Sequence, residues 1–162
     1  MKKSAFTLIE LMIVIAIMLI LAAAAMSGMS SVLRNLRFGN AFNKAVFMVQ
    51  QARNLAATEK GAAASYRVEI ASDNIKLFAD TTLTETYNLQ NMPGATFVSQ
   101  VTGITGNCST AKIEFAKGAA KTILTCEGGS ANPASLTVAL SDTANSLNKS
   151  FSIHNAAGIP QL

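Results

Sequence analysis

The chain has 162 residues, half of them hydrophobic and only 14% charged, with 13 basic against 9 acidic side chains. That length leaves room for one modest core of about 100 residues beside an apolar N-terminal segment, and the formal +4, which falls to +2 without Lys2 and Lys3, is then too small to imply a nucleic-acid partner by itself. The N-terminal run inflates the apolar share; Ser, Thr, Asn and Gln carry much of the remaining polarity.

From Phe6 to Met29 the single charge is Glu10, and nearly everything else is Leu, Ile, Val, Met or Ala. As a helix this run is roughly 36 Å long, enough to cross a hydrocarbon core of about 30 Å. Lys2 and Lys3 precede it, which predicts a cytoplasmic N-terminus and an exported remainder. An acid inside such a segment costs on the order of a few kcal/mol unless paired or snorkelled, and marks a functional position. The competing reading is a secretory signal, with Lys2 and Lys3 as its basic region, Leu11 to Leu21 as its apolar region and Ala22 to Ala25 as its cleavage site. Glu10 and a helical pattern that continues beyond Ala25 fit that poorly.

The order Met1-Lys2-Lys3-Ser4-Ala5, a junction before Phe6, then Thr7-Leu8-Ile9-Glu10 and a long apolar helix resembles the leader of type IV prepilins and type II secretion pseudopilins. The resemblance implies cleavage between Ala5 and Phe6 by a prepilin peptidase and methylation of the new Phe6 amine. It further implies that Glu10 sits in a filament core near the amine of a neighbouring subunit. Ala5 stands where that family usually has Gly, and it is also small. Loss of Lys2 and Lys3 leaves 11 basic against 9 acidic side chains, a net of +2.

Gly28, among Ser27, Ser30 and Ser31, is a soft point, because helix-interior glycine costs about 1 kcal/mol relative to alanine. One expectation is a single helix continuing through it; the other is two helices broken there. From Leu33 to about Lys60 the sequence reads as amphipathic. Phe38, Phe42, Ala45, Val46, Val49, Ala52 and Ala56 share a face; Asn40, Asn43, Gln50, Gln51 and Asn54 lie opposite. Arg34, Arg37 and Lys44 flank the stripe as a solvated rim or headgroup contacts.

Gly61 ends the helix, and alternation follows. Tyr66, Val68 and Ile70 with Arg67 and Glu69 predict a strand, Ser72-Asp73-Asn74 a turn, and Ile75 to Leu77 the return. Tyr87 and Leu89 suggest a strand, Met92-Pro93-Gly94 a turn, and Ala95 to Val101 the next strand. Gly103 to Thr110 reads as a loop holding Cys108. Ile113 to Phe115 and Thr122 to Cys126 form a hairpin across Ala116 to Ala119. Gly128 to Pro133 is loop, Leu136 to Leu140 strand, Ser141 to Asn148 a polar turn, and Phe151 to Ile153 the last strand. The fold class is therefore α+β, a type IV pilin-like arrangement of a long helix packed on antiparallel sheet. The expected division is a leader at 1–5, a transmembrane or filament-core segment at 6–29, an amphipathic continuation at 30–60 and an exported β-rich domain at 61–162.

Cys108 and Cys126 both follow the apolar run, so they face an oxidising compartment under this topology. One pair has one connectivity, and a disulfide is the natural reading; free thiols or a metal site are the alternatives, and the one histidine available to a metal is His154. Gln51-Ala52-Arg53-Asn54-Leu55-Ala56 and Ser152 to Gly158 resemble segments of the GspH/FimT group of minor pilins and pseudopilins. No catalytic triad, metal set or phosphate loop is visible, and no cofactor is expected. Two functional classes follow. One is a structural subunit, minor or major, that works in the bacterial inner membrane with prepilin peptidase and other pilins. The other is a FimT-like DNA-capturing minor pilin, disfavoured because Gly158 to Leu162 carries no charge and nucleic acid is an unlikely partner.

Overall fold

The computed structural model describes residues 7–58, 63–90, 92–101, 107–118, 122–128, 133–155 and 160–161. Helix α1 runs from Leu8 to Ala57 without a break at Gly28, so the two-helix alternative is not met. The chain divides into two compact units, residues 1–37 and 38–162. In the first unit α1 is long and apolar enough to cross a membrane by length and composition.

The second unit joins the rest of α1 to short strands. They are β1 (Ser65–Ala71), β2 (Asn74–Ala79), β3 (Thr82–Asn88), β4 (Ala95–Val101), β5 (Asn107–Cys108), β6 (Thr110–Ala116), β7 (Thr122–Glu127), β8 (Ser135–Asp142), β9 (Leu147–His154) and β10 (Pro160–Gln161). They pair antiparallel into two five-stranded sheets, ordered β3-β2-β1-β6-β7 and β10-β9-β8-β4-β5. Period-two alternation decides which face is buried. Val68 lies opposite Leu77 on one side and Ile113 on the other, and Ile113 opposite Leu124, all fully buried. In the second sheet Val138 lies opposite Phe151, and Leu136 opposite Ile153. Each such side chain contributes about 1.5–3 kcal/mol when removed from water.

α1 supplies the third side of this core. Phe38, Phe42, Ala45, Val49, Ala52 and Ala56 are buried as their period predicts, and so are Ala41 and Met48. The Phe42 ring meets Phe151 edge-on at 5.8 Å, linking the helix to the second sheet. Lys44 forms an ion pair with Glu85 of β3, linking it to the first. The helix end is held by the β6–β7 turn: Gly118 N–H donates to the Ala56 carbonyl at 3.4 Å. Gly118 has φ 69°, a left-handed conformation that glycine adopts without steric cost.

Several expected bounds shift. Gln51, placed on the polar face, is half-buried, and its Oε1 is fully covered without a hydrogen-bond partner. The polar turn after β8 shrinks to residues 143–146, because Asp142 is buried and caps it: Oδ1 accepts from Ala144 N–H and Oδ2 from Asn145 Nδ2, each at 3.1 Å. β3 begins at Thr82, and Leu89 lies beyond it, buried but outside the ladder. The β2–β3 register skips Thr84, a bulge that twists this edge strand away from further pairing. Within the expected 103–110 loop, Asn107–Cys108 is a strand; residues 103–106 lie outside the described set, as do Gly61, Ala119 and Gly158.

Gly39 lies inside α1, and a Cβ added there would meet nothing within 4 Å. Gly39→Ala therefore removes backbone entropy from the unfolded chain without a clash. We expect a gain of about 0.5–1 kcal/mol, read as a higher melting temperature of the detergent-solubilised full chain. A lower melting temperature would show that the glycine serves a close approach.

Candidate functional site

The site begins where α1 begins. Thr7 precedes the first helical residue, and its N–H and Oγ1–H both donate to Glu10 Oε2 at 3.2 Å. In return Glu10 N–H donates to Thr7 Oγ1 at 3.3 Å. This is a reciprocal capping box: two N–H groups that no helical carbonyl satisfies are satisfied by side chains three residues apart. The carboxylate also stands at the positive end of the helix dipole. The Thr-x-x-Glu spacing that signals this box is present in the sequence at Thr7 and Glu10.

Directly after Glu10, from Leu11 to Leu21, the helix presents only apolar surface. Every residue from Leu11 to Leu21 is Leu, Ile, Val, Met or Ala, and the large ones are all at least 45% exposed. Such a surface is not stable in water; it marks a segment made for lipid or for other helices. Ala5 and Phe6, the expected cleavage and methylation positions, lie outside the described residues.

In the second unit, Cys108 and Cys126 form a disulfide with a Cα–Cα distance of 5.3 Å. Cys108 belongs to β5 in one sheet and Cys126 to β7 in the other. The chain changes sheets between them in sequence, at Ser109, whose N–H and hydroxyl both donate to the Glu127 carbonyl, at 3.0 and 3.1 Å. The bond therefore fastens one sheet to the other at the crossover, and the free-thiol and metal alternatives fall.

Charges nearby are locally paired. Lys112 contacts Glu127, and Arg67 Nε lies 2.9 Å from Glu69 Oε1. That contact is too poorly aligned for a hydrogen bond, so Arg67 Nε is a covered ion-pair partner rather than a satisfied donor. Hydrogen bonds from Lys112 and then Thr110 hold the Glu127 carboxyl below its usual value. His154 is exposed. Among the described residues no group of three or more His, Cys, Asp or Glu is arranged to hold a metal.

No curated protein and no solved structure matches the chain. A family model described as the prokaryotic N-terminal methylation motif matches residues 1–26, the stretch that contains the capping box and most of the exposed apolar run. The chain thus carries a prokaryotic N-terminal methylation motif across residues 1–26.

Proposed function

We propose that this chain is a minor pilin or pseudopilin, of the GspH/FimT kind, that joins a type IV pilus or type II secretion pseudopilus through its N-terminal helix. The observation that carries this reading is the uninterrupted apolar surface after Glu10, within a matched methylation motif. The precursor rests in the inner membrane with residues 1–5 in the cytoplasm and the β-rich domain in the periplasm. Prepilin peptidase removes residues 1–5 and methylates Phe6. Segment 6–29 then leaves lipid for a filament core of like helices, 30–60 continues as the spine of the exported domain, and 61–162 faces outward.

A structural subunit suits the rest of the molecule. Lys44, Arg67 and Lys112 each stand beside a glutamate, so these three charges are locally offset rather than presented to a polyanion.

Intact-mass analysis of the protein extracted from membranes tests the proposal. We expect loss of residues 1–5 and one added methyl on Phe6. A mature chain beginning near Met26 would establish the secretory-signal reading instead.

A further inference from the structure

The apolar surface of α1 is longer than a bilayer core. Counted from Leu8, a hydrocarbon layer of about 30 Å is crossed in about 20 residues, which ends near Gly28. Exposed aliphatic side chains nevertheless continue: Met29, Val32, Leu33 and Leu36 are 60, 53, 44 and 58% exposed. Their spacing, i, i+3, i+4 and i+7, puts all four on one arc of the helix about 100° wide. Ser30, Ser31, Arg34, Asn35 and Arg37 occupy the rest of the circumference.

This arc is not the start of the exported domain's core stripe. The same period would carry it to Gly39, Asn40 and Asn43, and none of these is a large apolar residue. The buried stripe instead starts afresh with Phe38, Ala41 and Phe42. Residues 29–37 are therefore an amphipathic segment in their own right, placed in sequence between the span and the domain.

Its polar side is cationic. α1 holds no acid after Glu10, so the helix itself supplies no carboxylate to Arg34 or Arg37. Aliphatic side chains on one side and arginines on the other compose a helix that lies in a lipid–water interface. The apolar arc then rests at the acyl boundary, while guanidinium groups take headgroup phosphates through two parallel N–H bonds. A neighbouring helix suits the arc less well. Helices that pack in apolar surroundings favour Gly, Ala, Ser and Thr at the contact, and this arc has none.

We propose that residues 29–37 are an interfacial anchor on the outer face of the inner membrane, with Met29, Val32, Leu33 and Leu36 on lipid and Arg34 and Arg37 on anionic headgroups. Gly28 stands where the hydrocarbon ends, and a Ser-Gly pair is a place where a helix axis bends, so the segment turns onto the surface there. The inference rests on the proposed function for the side of the membrane, and adds to it a binding surface and its ligand, a phosphate-bearing lipid layer.

The test uses the full-length chain at low density in vesicles of phosphatidylglycerol and phosphatidylethanolamine. A photo-crosslinking residue replaces Leu21, Asn35 or Leu36 in turn, and lipid adducts are read by mass spectrometry. Leu36 should give adducts at nearly the level of Leu21, and Asn35 about fivefold fewer, because only one side of the segment meets acyl chains. Arg34→Gln combined with Arg37→Gln should lower the Leu36 adducts about tenfold and leave those at Leu21 unchanged. Peptide mapping of the Cys108–Cys126 bond confirms that the domain has folded in each variant. Equal adducts at Leu36 and Asn35, a Leu36 signal indifferent to the arginines, or crosslinks from Leu36 to a second chain instead of lipid would each overturn the inference. With lipid adducts retained at Leu21, any of these outcomes leaves the proposed function standing. Absence of lipid adducts at Leu21 as well would remove the membrane span and both readings with it.

Discussion

Replacing Cys108 and Cys126 together by alanine should lower the stability of the exported domain by about 3 kcal/mol. In the chain-entropy account, a cross-link closing a loop of sequence separation 18 removes about that much freedom from the unfolded chain. The location adds to this. Both cysteines are nearly covered and end in different sheets, so the reduced chain is free to separate β5 from β7 at the crossover. In the native state Ser109 and Glu127 still hold the crossover by two hydrogen bonds, so the fold itself should survive at low temperature. Denaturant titration of the full chain should therefore show a lower midpoint. The slope should rise slightly, since an unfolded chain without the cross-link exposes more surface. For a domain of this size the thermal midpoint falls by about 10–20 °C. An unchanged midpoint would mean that the native bond is offset by strain or by residual structure in the unfolded chain.

The parts of this molecule that were legible in the sequence are those written in periodic side chains. Phe38, Phe42, Ala45, Val49, Ala52 and Ala56 announce the buried side of α1 because a helix returns every 3.6 residues, and all six are buried. Tyr66, Val68 and Ile70 announce a strand in the same way. β3 was harder to see because Thr82, Thr84 and Thr86 contribute no apolar member; its pairing with β2, not its own pattern, makes it a strand. The division into two sheets was not legible at all. The chain changes ladder between β3 and β4, between β5 and β6 at Ser109, and between β7 and β8, and no local pattern encodes which sheet a strand joins. Gln51 was misread for a related reason: helix period places it beside Gln50, but the bulk packed around it covers its amide oxygen. At the N-terminus one string carries two signals: Phe6 to Glu10 holds the family resemblance and, within it, the Thr-x-x-Glu spacing of a capping box.

Glu10→Gln and Glu10→Ala should both reduce incorporation into the filament, on the order of a hundredfold, and comparison of the two separates the roles of this carboxylate. The capping box assigns Glu10 a local task, and glutamine is the other residue that completes such a box. If capping were its whole purpose, Glu10→Gln would behave as wild type and Glu10→Ala would lose about 0.5–2 kcal/mol of helix-end stability. The proposed assembly adds a second task. In the membrane the residue lies near the start of the helix, where snorkelling limits its cost. Among packed helices water is excluded, and a charge without a partner costs several kcal/mol. Removal of residues 1–5 takes Lys2 and Lys3 away, so the cation left at that level is the Phe6 amine of an adjacent subunit. Glutamine cannot neutralise that amine, and stripping one member from a desolvated pair costs about 3–5 kcal/mol, whose lower end is the expected hundredfold. The pairing also sets the axial register of an incoming subunit, since only one offset brings carboxylate and amine together. The β domain is untouched by either change, so membrane levels and the Cys108–Cys126 bond should match wild type. Crosslinking to neighbouring pilins, normalised to equal membrane levels, is the measurement. Incorporation of Glu10→Gln at the wild-type level would reduce Glu10 to a helix cap and remove the charge from the assembly step.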